Sequence, residues 1–310
     1  MTTLETLRTF TIENLPDLDT VTQGALELFA ETKLPQIDFM RFKRPLVVGS
    51  VNGAAAGRIL FADTDAVFAD ESSYLEKLNA VSDIDGAFLV SASGAKHSIE
   101  IARALQERGV ETCLLTNNAH APAREYIKEE NVYVFPKNRE PYTYNTSTYM
   151  GFFFAKTQED PKELLEFIQR EVAPLIPSDL SSYKAFCLVI PPHYYAMREM
   201  FLTKFDELFG PEIVGRVFTA EQMKHAKTVI ESDKELFIIF NEKDAQYGLP
   251  ENRLFIPLPS NADHAAMMAV GYYVIGQIQK QFPPFFKQHI AAYMDRASRA
   301  FNSTLSLIVE

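Results

Sequence analysis

Short apolar runs that end in small polar residues alternate with helical patterns along the first half of the chain. In the clearest case, the run 87–90 (AFLV) is followed by Ser91, Ala92, Ser93 and Gly94, and a helical pattern begins near Lys96. Nearly continuous apolar strands that feed helices through short joints predict a parallel sheet with helices on both faces. The other predicted strands of this half are 45–50, 66–69, 111–116 and 132–135.

The second half of the chain repeats this plan. Pro174, Pro177 and the polar stretch 178–182 form the best candidate linker, so we place a domain boundary near residue 180. The predicted fold is α/β, with two doubly wound parallel-sheet domains in tandem, at 1–180 and 181–310. The predicted strands and helices of the second half are 185–190, 193–209, 213–218, 236–240, 254–256 and 263–280.

The turn 91–96 is predicted to bind phosphate. The first N–H groups of a helix have no partner within the helix, and the helix dipole favours an anion there. Ser91 and Ser93 add hydroxyl donors, and Gly94 allows the backbone to approach a ligand closely. Ser50 also follows a predicted strand, and sheets of this kind bind ligands at the carboxyl ends of their strands. The alternative is an ordinary strand–turn–helix joint, in which Ser93 only caps the helix.

Two other turns lack the pattern of a phosphate site. The turn 241–244 (NEKD) of the second half has no Ser-Gly pair, so we expect one phosphate site per chain and other chemistry in the second half. The turn 49–53 (GSVNG) does not have the G-x-G-x-x-G spacing, which disfavours a dinucleotide-binding enzyme.

Charge and hydropathy exclude several classes of partner. The chain has 310 residues and a formal net charge of −11 at pH 7, which argues against nucleic acid and against an anionic membrane. No apolar run approaches the roughly 20 residues of a membrane span. The first residues lack the basic and apolar segments of a secretory signal, so we expect a cytoplasmic protein.

The cysteines and histidines have no spacing typical of a metal site. Cys113 and Cys187 each lie in an apolar run, and both are expected to be buried strand residues rather than members of a disulfide framework. His193, His264 and His289 are scattered along the chain without ligand spacing. The sequence therefore predicts no metal site.

Several segments together resemble the sugar isomerase (SIS) domain family in its tandem form. The first half carries the resemblance in 49–57 (GSVNGAAAG), 90–102 (VSASGAKHSIEIA) and 145–151 (NTSTYMG). In the second half, 204–225 (KFDELFGPEIVGRVFTAEQMKH) and the ending 295–310 resemble the isomerase domain of glucosamine-6-phosphate synthase and related deglycases. The resemblance implies two flavodoxin-like domains and an active site that forms between the subunits of a homodimer. The apolar segment 282–286 (FPPFF) is expected to pack on the partner subunit.

The resemblance also implies roles for individual residues. Ser91 and Ser93 would bind the phosphate of a sugar phosphate, Glu207 would be the base that moves a proton between C1 and C2, and His225 would open the sugar ring. Lys204 would lie near Glu207. The resemblance adds Ser50, Ser147 and Thr148 to the phosphate site. Gly94 belongs to it through the turn itself, and Lys96 either contacts the phosphate as a point charge or points to solvent.

These residue types suit the interconversion of an aldose and a ketose. A carboxylate can carry a proton through an enediol, and histidine titrates near neutral pH. Lys204, three residues before Glu207, shares its helix face and would hold the carboxylate ionised or stabilise an enediolate. Such acid–base chemistry requires no metal or organic cofactor. From the residues alone, Lys204 and Glu207 form a solvated ion pair, and His225 is a surface histidine.

The sequence departs from the family pattern at four places. Lys96 stands where the family usually has threonine, and Ser98 stands where it usually has an acidic residue. Leu305 occupies the place of a tail lysine that forms a Schiff base in the synthase, and Gly210-Pro211 is inserted between Glu207 and His225. No glutamine-hydrolysing domain is present, so we do not expect the synthase reaction.

The predicted function is a phosphosugar isomerase, deaminase or deglycase that acts on a hexose phosphate or its amino adduct. The alternative is a non-catalytic sensor or regulator that binds a phosphosugar. In that alternative, the phosphate turn at 91–96 is retained but Glu207 and His225 do not function as acid–base groups.

Overall fold

The structure is a computed structural model that describes residues 3–242, 246–300, 302 and 304–310. Lys243 and Asp244 of the predicted turn 241–244, and Phe301 and Ser303 of the tail, lie outside the described residues. The helices are α1 (Thr3–Thr9), α2 (Leu18–Glu31), α3 (Asn52–Leu60), α4 (Tyr74–Ala80), α5 (His97–Glu107), α6 (Thr146–Thr157), α7 (Pro161–Phe167), α8 (Arg198–Phe209), α9 (Ala220–Met223), α10 (His264–Lys280) and α11 (Phe285–Ala300). The strands are β1 (Pro45–Gly49), β2 (Val67–Ala69), β3 (Gly86–Val90), β4 (Thr112–Thr116), β5 (Val132–Val134), β6 (Glu140–Pro141), β7 (Ala185–Ile190), β8 (Val214–Thr219), β9 (Glu235–Phe240), β10 (Arg253–Ile256) and β11 (Ile308–Val309).

The chain divides into two compact units, each built around one parallel sheet. The first-sheet unit comprises Glu31–Lys137 and Ser147–Gln158. The second-sheet unit comprises Met1–Ala30, Asn138–Thr146 and Glu159–Glu310. These units divide the chain at places other than residue 180, and the sequence-based boundary there stays a prediction.

The first sheet has the strand order β2-β1-β3-β4-β5, and all of its strand pairs are parallel. The chain runs from β1 outward to β2 and then returns past β1 to β3, so the order reverses between β1 and β3. This is the doubly wound arrangement predicted from the apolar runs. Every residue of β1, β3 and β4 is buried, as expected for strands that are covered on both faces.

Small residues let α3 lie directly against the first sheet. A Cβ atom at Gly53 would lie 2.5 Å from the backbone oxygen of Val90, and one at Gly49 would lie 2.6 Å from the backbone of Gly53. Both distances are shorter than any distance at which two non-bonded atoms can lie without a steric clash. The glycines of 49–57 therefore set the separation between this helix and strands β1 and β3.

The second sheet has the order β10-β9-β7-β8, again with parallel pairs, and its order reverses between β7 and β9. Helix α8 packs against β8, where Phe205 occupies the space that a side chain at Gly215 would need. Helix α10 packs against α8 through Gly271, which lies against the ring of Phe201. The prediction of a second parallel sheet is confirmed.

Two elements of the second-sheet unit were not predicted from the sequence. Strands β6 and β11 form a short antiparallel ladder, in which Pro141 pairs with Ile308. Helix α11 begins within the apolar segment 282–286, which is expected to pack on a partner subunit. Phe286 is buried within this unit, and Phe282 lies edge-on to Phe186 with ring centroids 5.9 Å apart. Packing of the rest of this segment on a partner stays a prediction.

Within the described residues, no helix combines the length and the apolar character that crossing a bilayer requires.

Candidate functional site

The turn that follows β3 is held by hydrogen bonds among its own residues. Ser91 Oγ accepts a hydrogen bond from the Gly94 N–H (3.1 Å) and lies 2.7 Å from the hydroxyl oxygen of Ser98. Gly94 has φ +59°, and a Cβ atom there would lie 2.4 Å from the Cβ atom of Ala121. Glycine is therefore required by both the backbone angle and the close contact.

Helix α5 begins directly after this turn, and Ser93 does not cap it. The residue before the helix is Lys96, which is exposed, has φ +52° and makes no side-chain capping hydrogen bond. The exposed hydroxyl of Ser93 accepts a hydrogen bond from the Ala95 N–H (3.3 Å), within the turn rather than from the helix. The interpretation of Ser93 as a helix cap is therefore wrong, whereas phosphate binding by this turn stays a prediction.

Ser50 emerges beside Ser91 at the carboxyl edge of the first sheet. Gly49 and Val90 are partners in the parallel ladder of β1 and β3, so the residues that follow them leave the sheet side by side. This is also the place where the strand order reverses, and sheets of this type bind ligands there.

Ser147 and Thr148 occupy the first turn of α6, where both side chains are buried. At the start of this helix, Glu140 Oε2 accepts a hydrogen bond from the Thr146 N–H (2.7 Å). The role of Ser147 and Thr148 at a phosphate site stays a prediction.

Lys204 and Glu207 form an ion pair in the second-sheet unit, one turn apart on α8. The Lys204 ammonium donates to Glu207 Oε2 (2.6 Å) and to the backbone oxygen of Thr143 (2.8 Å). The Lys204 side chain has no exposed surface, and 23% of the Glu207 side chain is exposed. The interpretation of this pair as solvated is therefore wrong. Lys204 was considered either to hold the Glu207 carboxylate ionised or to stabilise an enediolate. Its direct contact with Glu207 supports the first of these roles.

The segment that presents Thr143 to Lys204 is itself held by polar contacts. Thr143 has φ +78°, a left-handed conformation that turns the chain after β6. The next residue, Tyr144, is buried and donates its hydroxyl to the backbone oxygen of Pro16 (3.3 Å), while Gln279 donates to that hydroxyl (2.9 Å). These bonds fix the backbone oxygen that accepts from the buried ammonium.

The environment of Glu207 shifts its acidity in the direction that a general base requires. Burial raises the pKa of Glu207 above its ordinary value, and the Lys204 ammonium opposes this shift by favouring the ionised form. A raised pKa moves a carboxylate toward the acidity at which it accepts and returns protons most effectively.

Glu207 lies in the wall of a cavity of about 510 Å³ within the second-sheet unit. This volume is within the range of roughly 300–1,000 Å³ that is typical of sites for small molecules. The inserted pair Gly210-Pro211 and the C-terminal helix α11 form parts of the wall. The lining residues are Thr143, Asp206, Glu207, Leu208, Phe209, Gly210, Pro211, Glu212, Phe285, Phe286, His289, Ile290, Tyr293 and Arg296.

Sequence reasoning did not identify the side chains that α11 contributes to this cavity. His289, Tyr293 and Arg296 line it, although His289 was set aside as a scattered histidine. The signal that was available is the helical spacing of the buried residues Phe286 and Ile290, which places positions 289, 293 and 296 on an adjacent stripe.

His225 does not lie in this cavity. It follows α9 with an exposed side chain, and its backbone N–H donates to the backbone oxygen of Gln222 (3.0 Å). The structure of the single chain thus brings together Lys204 and Glu207, and it leaves His225 at the surface of the second-sheet unit.

No protein-family model and no curated protein sequence matches the chain. Solved structures do match its fold. The C-terminal domain of glucosamine-fructose-6-phosphate aminotransferase from Francisella tularensis aligns with a TM-score of 0.59 at 12% identity, covering 91% of this chain and 98% of that one. Glucosamine-6-phosphate deaminase from Thermotoga maritima aligns with a TM-score of 0.57 at 14% identity, covering 91% and 94%.

A third similar structure is tagatose-6-phosphate ketose/aldose isomerase from Escherichia coli, with a TM-score of 0.57 at 10% identity, covering 80% of this chain and 85% of that one. At these identities the likeness establishes the fold. The chain has the tandem SIS fold that the sequence resemblance implied, with one parallel sheet in each unit.

Replacing Lys204 with methionine is expected to destabilise the protein by about 3 kcal/mol at pH 7, because a largely buried carboxylate loses its only close cation among the described residues. Without that cation the folded-state pKa of Glu207 rises further, so the loss grows as pH increases from 5 to 7. Adding Glu207→Gln should recover much of the stability. Urea unfolding at both pH values measures these differences.

The exposed pair Lys224 and Glu221 is the matched control, since it has the same three-residue spacing and a similar distance of 2.7 Å. Lys224→Met should change the free energy of unfolding by less than about 1 kcal/mol. Equal costs for Lys204→Met and Lys224→Met would contradict the buried-pair interpretation.

Proposed function

We propose that the protein binds a sugar phosphate and moves a proton between C1 and C2 of the open-chain sugar. The activity is that of a phosphosugar isomerase, deaminase or deglycase acting on a hexose phosphate or its amino adduct. The observation that carries this proposal is the half-enclosed carboxylate of Glu207, which faces a cavity of about 510 Å³ and is held by a buried ammonium group. The names of the similar structures support the choice of phosphosugar, since they include an isomerase and a deaminase.

In the proposed reaction, the Glu207 carboxylate removes the proton on C2 of an open-chain aldose. The electrons of that C–H bond form a C1–C2 double bond, and the C1 carbonyl oxygen takes up a proton to give an enediol. Glu207 then returns its proton to C1. The C2 hydroxyl gives up its proton, which balances the proton that O1 took up, and its oxygen becomes the carbonyl. With an amino adduct, the same proton transfer passes through an enolamine to an imine. Water then adds to the imine carbon, the C–N bond breaks, and the amine leaves as the carbonyl forms. Lys204 is a positioning residue in this scheme, because its ammonium touches Glu207 and not the cavity.

The phosphate is proposed to bind at the turn after β3. Ser91 and Ser93 supply hydroxyl groups, and Lys96 supplies a positive charge at an exposed position. The Gly94 and Ala95 N–H groups, which donate to these two hydroxyls in this structure, would turn to the phosphate instead. The N-terminal amides of α5 add the favourable dipole. The supporting residues of this proposed site are Ser50, Ser147 and Thr148.

We propose that the protein is a homodimer in which His225 serves the site of the other subunit. Ring opening requires an acid–base group near the hemiacetal, and the exposed His225 side chain does not line the cavity of its own Glu207. If the partner subunit supplies His225, the site has an acid–base group for ring opening even though His225 lies outside the cavity of its own subunit. The cytoplasmic location and the exclusion of nucleic acid and membrane partners stay predictions from composition.

The second candidate function is a non-catalytic phosphosugar sensor. It is favoured by Leu305, whose apolar side chain stands where the resemblance places a lysine and whose backbone N–H donates to Ser298 Oγ (3.1 Å). A sensor would retain ligand binding at the phosphate turn without proton transfer by Glu207.

Glu207→Gln is expected to abolish exchange of the substrate C2 proton with solvent while sugar-phosphate binding persists. Loss of a general base lowers the rate by about 10²–10⁴-fold. Ligands are first selected by a thermal-shift screen of phosphorylated sugars and fructosamine phosphates, because a ligand of the native state raises Tm. NMR in D₂O then follows the C2 proton. The control is Glu199→Gln, at an exposed position of the same helix. Binding without exchange by the unaltered protein would favour the sensor.

Ser93→Ala is expected to weaken binding of a phosphorylated sugar by about 10- to 100-fold, as removal of a hydrogen bond to a charged group does. Binding of the corresponding free sugar should hardly change. Isothermal titration calorimetry measures both. Ser82→Ala is the matched control, because Ser82 is exposed in the loop that enters β3 at the opposite edge of the sheet. An equal loss of affinity for the phosphorylated and the free sugar would contradict the assignment of the phosphate to this turn.

Mixing Glu207→Gln with His225→Ala tests the shared site. In each variant alone, every site lacks one group. In a mixed dimer, one of the two sites combines an intact Glu207 with an intact His225, so random reassembly should restore about a quarter of the unaltered activity. Steady-state rates after dissociation and reassociation give the result. No recovery in verified mixed dimers would place His225 in its own subunit's site or outside any site.

A further inference from the structure

Three side chains that the proposed isomerase reaction does not use lie at the carboxyl edge of the second sheet. His193 follows β7 in the short 3-10 helix Pro192–Met197, and Asp263 and His264 stand at the start of α10, after β10. Because all strands of this sheet are parallel, these two distant parts of the sequence meet at one edge. None of the three residues lines the Glu207 cavity.

The three side chains converge on one point. His264 Nδ1 lies 2.5 Å from Asp263 Oδ1, and His193 Nε2 lies 3.9 Å from the same oxygen. One ligand atom from each residue lies within 4.8 Å of the others. In a tetrahedral zinc site with bonds near 2.0–2.1 Å, donor atoms are about 3.3 Å apart. Relative to that spacing, the Asp263–His264 separation is about 0.8 Å short and the Asp263–His193 separation is about 0.6 Å long, so ion binding requires these side chains to rotate.

The two segments that carry these donors are tied together. Tyr194, which adjoins His193, is buried and donates its hydroxyl to the backbone oxygen of Ala262 (2.8 Å). The carboxylate of Glu159 accepts hydrogen bonds from the N–H groups of Asp263 (2.8 Å) and Ala265 (3.0 Å). These bonds fix the backbone on both sides of the cluster, as the supporting shell of a metal site does.

We propose that His193, Asp263 and His264 form a binding site for a divalent transition-metal ion of the Zn²⁺ class. Two imidazole nitrogens and one carboxylate oxygen suit Zn²⁺, Co²⁺ or Ni²⁺, whereas Mg²⁺ and Ca²⁺ prefer oxygen ligands alone. The His193 side chain is 68% exposed and that of His264 is 12% exposed, so the cluster opens to solvent on one side. Three protein ligands and an open side leave a coordination position for water or another ligand.

This site was not predicted from the sequence, because His193 and His264 are far apart along the chain and have no ligand spacing. The expectation of other chemistry in the second half did not identify these residues. Their meeting depends on the parallel sheet, in which the carboxyl ends of β7 and β10 face the same way with β9 between them.

The test is titration of the untagged full-length chain with Zn²⁺ by calorimetry, and with Co²⁺ by visible absorption. We expect one ion per chain, with a Co²⁺ spectrum that reports nitrogen ligands in a site of low coordination number. His193→Ala and Asp263→Asn should each weaken binding more than about tenfold. Asparagine retains the helix-capping hydrogen bond of Asp263, so this variant should keep its fold. His120→Ala, an exposed histidine elsewhere, should bind as the unaltered chain does.

Three results would overturn the proposal. These are the absence of Zn²⁺ and Co²⁺ binding by the unaltered chain, binding that His193→Ala leaves unchanged, and displacement of Zn²⁺ by equal concentrations of Mg²⁺. Because the His193 side chain is largely exposed, its variant does not depend on tolerance of a core substitution.

Discussion

A fully buried ammonium group imposes the tightest constraint on the candidate site. Lys204 has no contact with water, so its charge requires partners inside the protein, and it finds them in the Glu207 carboxylate and the Thr143 backbone oxygen. This requirement joins α8 to the segment 138–146, which the β6–β11 ladder and Tyr144 hold in turn. The position of a proposed catalytic base therefore depends on residues from three separate parts of the sequence.

Much of the fold was predictable from local pattern. The apolar runs of β1, β3, β4, β7 and β9 are buried on both faces, and this is the property that identifies strands of a parallel sheet. The β6–β11 ladder was not predictable, since strands of two residues are too short to have any periodicity. Helix α11 begins directly after Pro283 and Pro284. Its helical pattern was not recognised, because its first residues belong to an apolar segment that was interpreted as a contact with a partner.

The site was predictable where its residues are close in sequence. Ser91, Ser93 and Gly94 form one turn, and Lys204 and Glu207 share one helical turn, so spacing alone placed each set together. The burial of Lys204 was not predictable from spacing, because the residues that cover its side chain come from segments that are distant in sequence. The cavity wall on α11 and the cluster at Asp263 arise only when separate elements meet, and no local pattern encodes such meetings.

The division of the chain has a consequence for its synthesis. The chain passes from one unit to the other after Ala30, Lys137, Thr146 and Gln158. During synthesis, the first-sheet unit has all of its residues once residue 158 has been made. Helix α2, in contrast, contains Asp19, whose ion-pair partner Lys280 lies 261 residues further along the chain. Asp19 therefore lacks this ion-pair partner while the intervening residues are synthesised, and the second-sheet unit cannot close around α2 until they are complete.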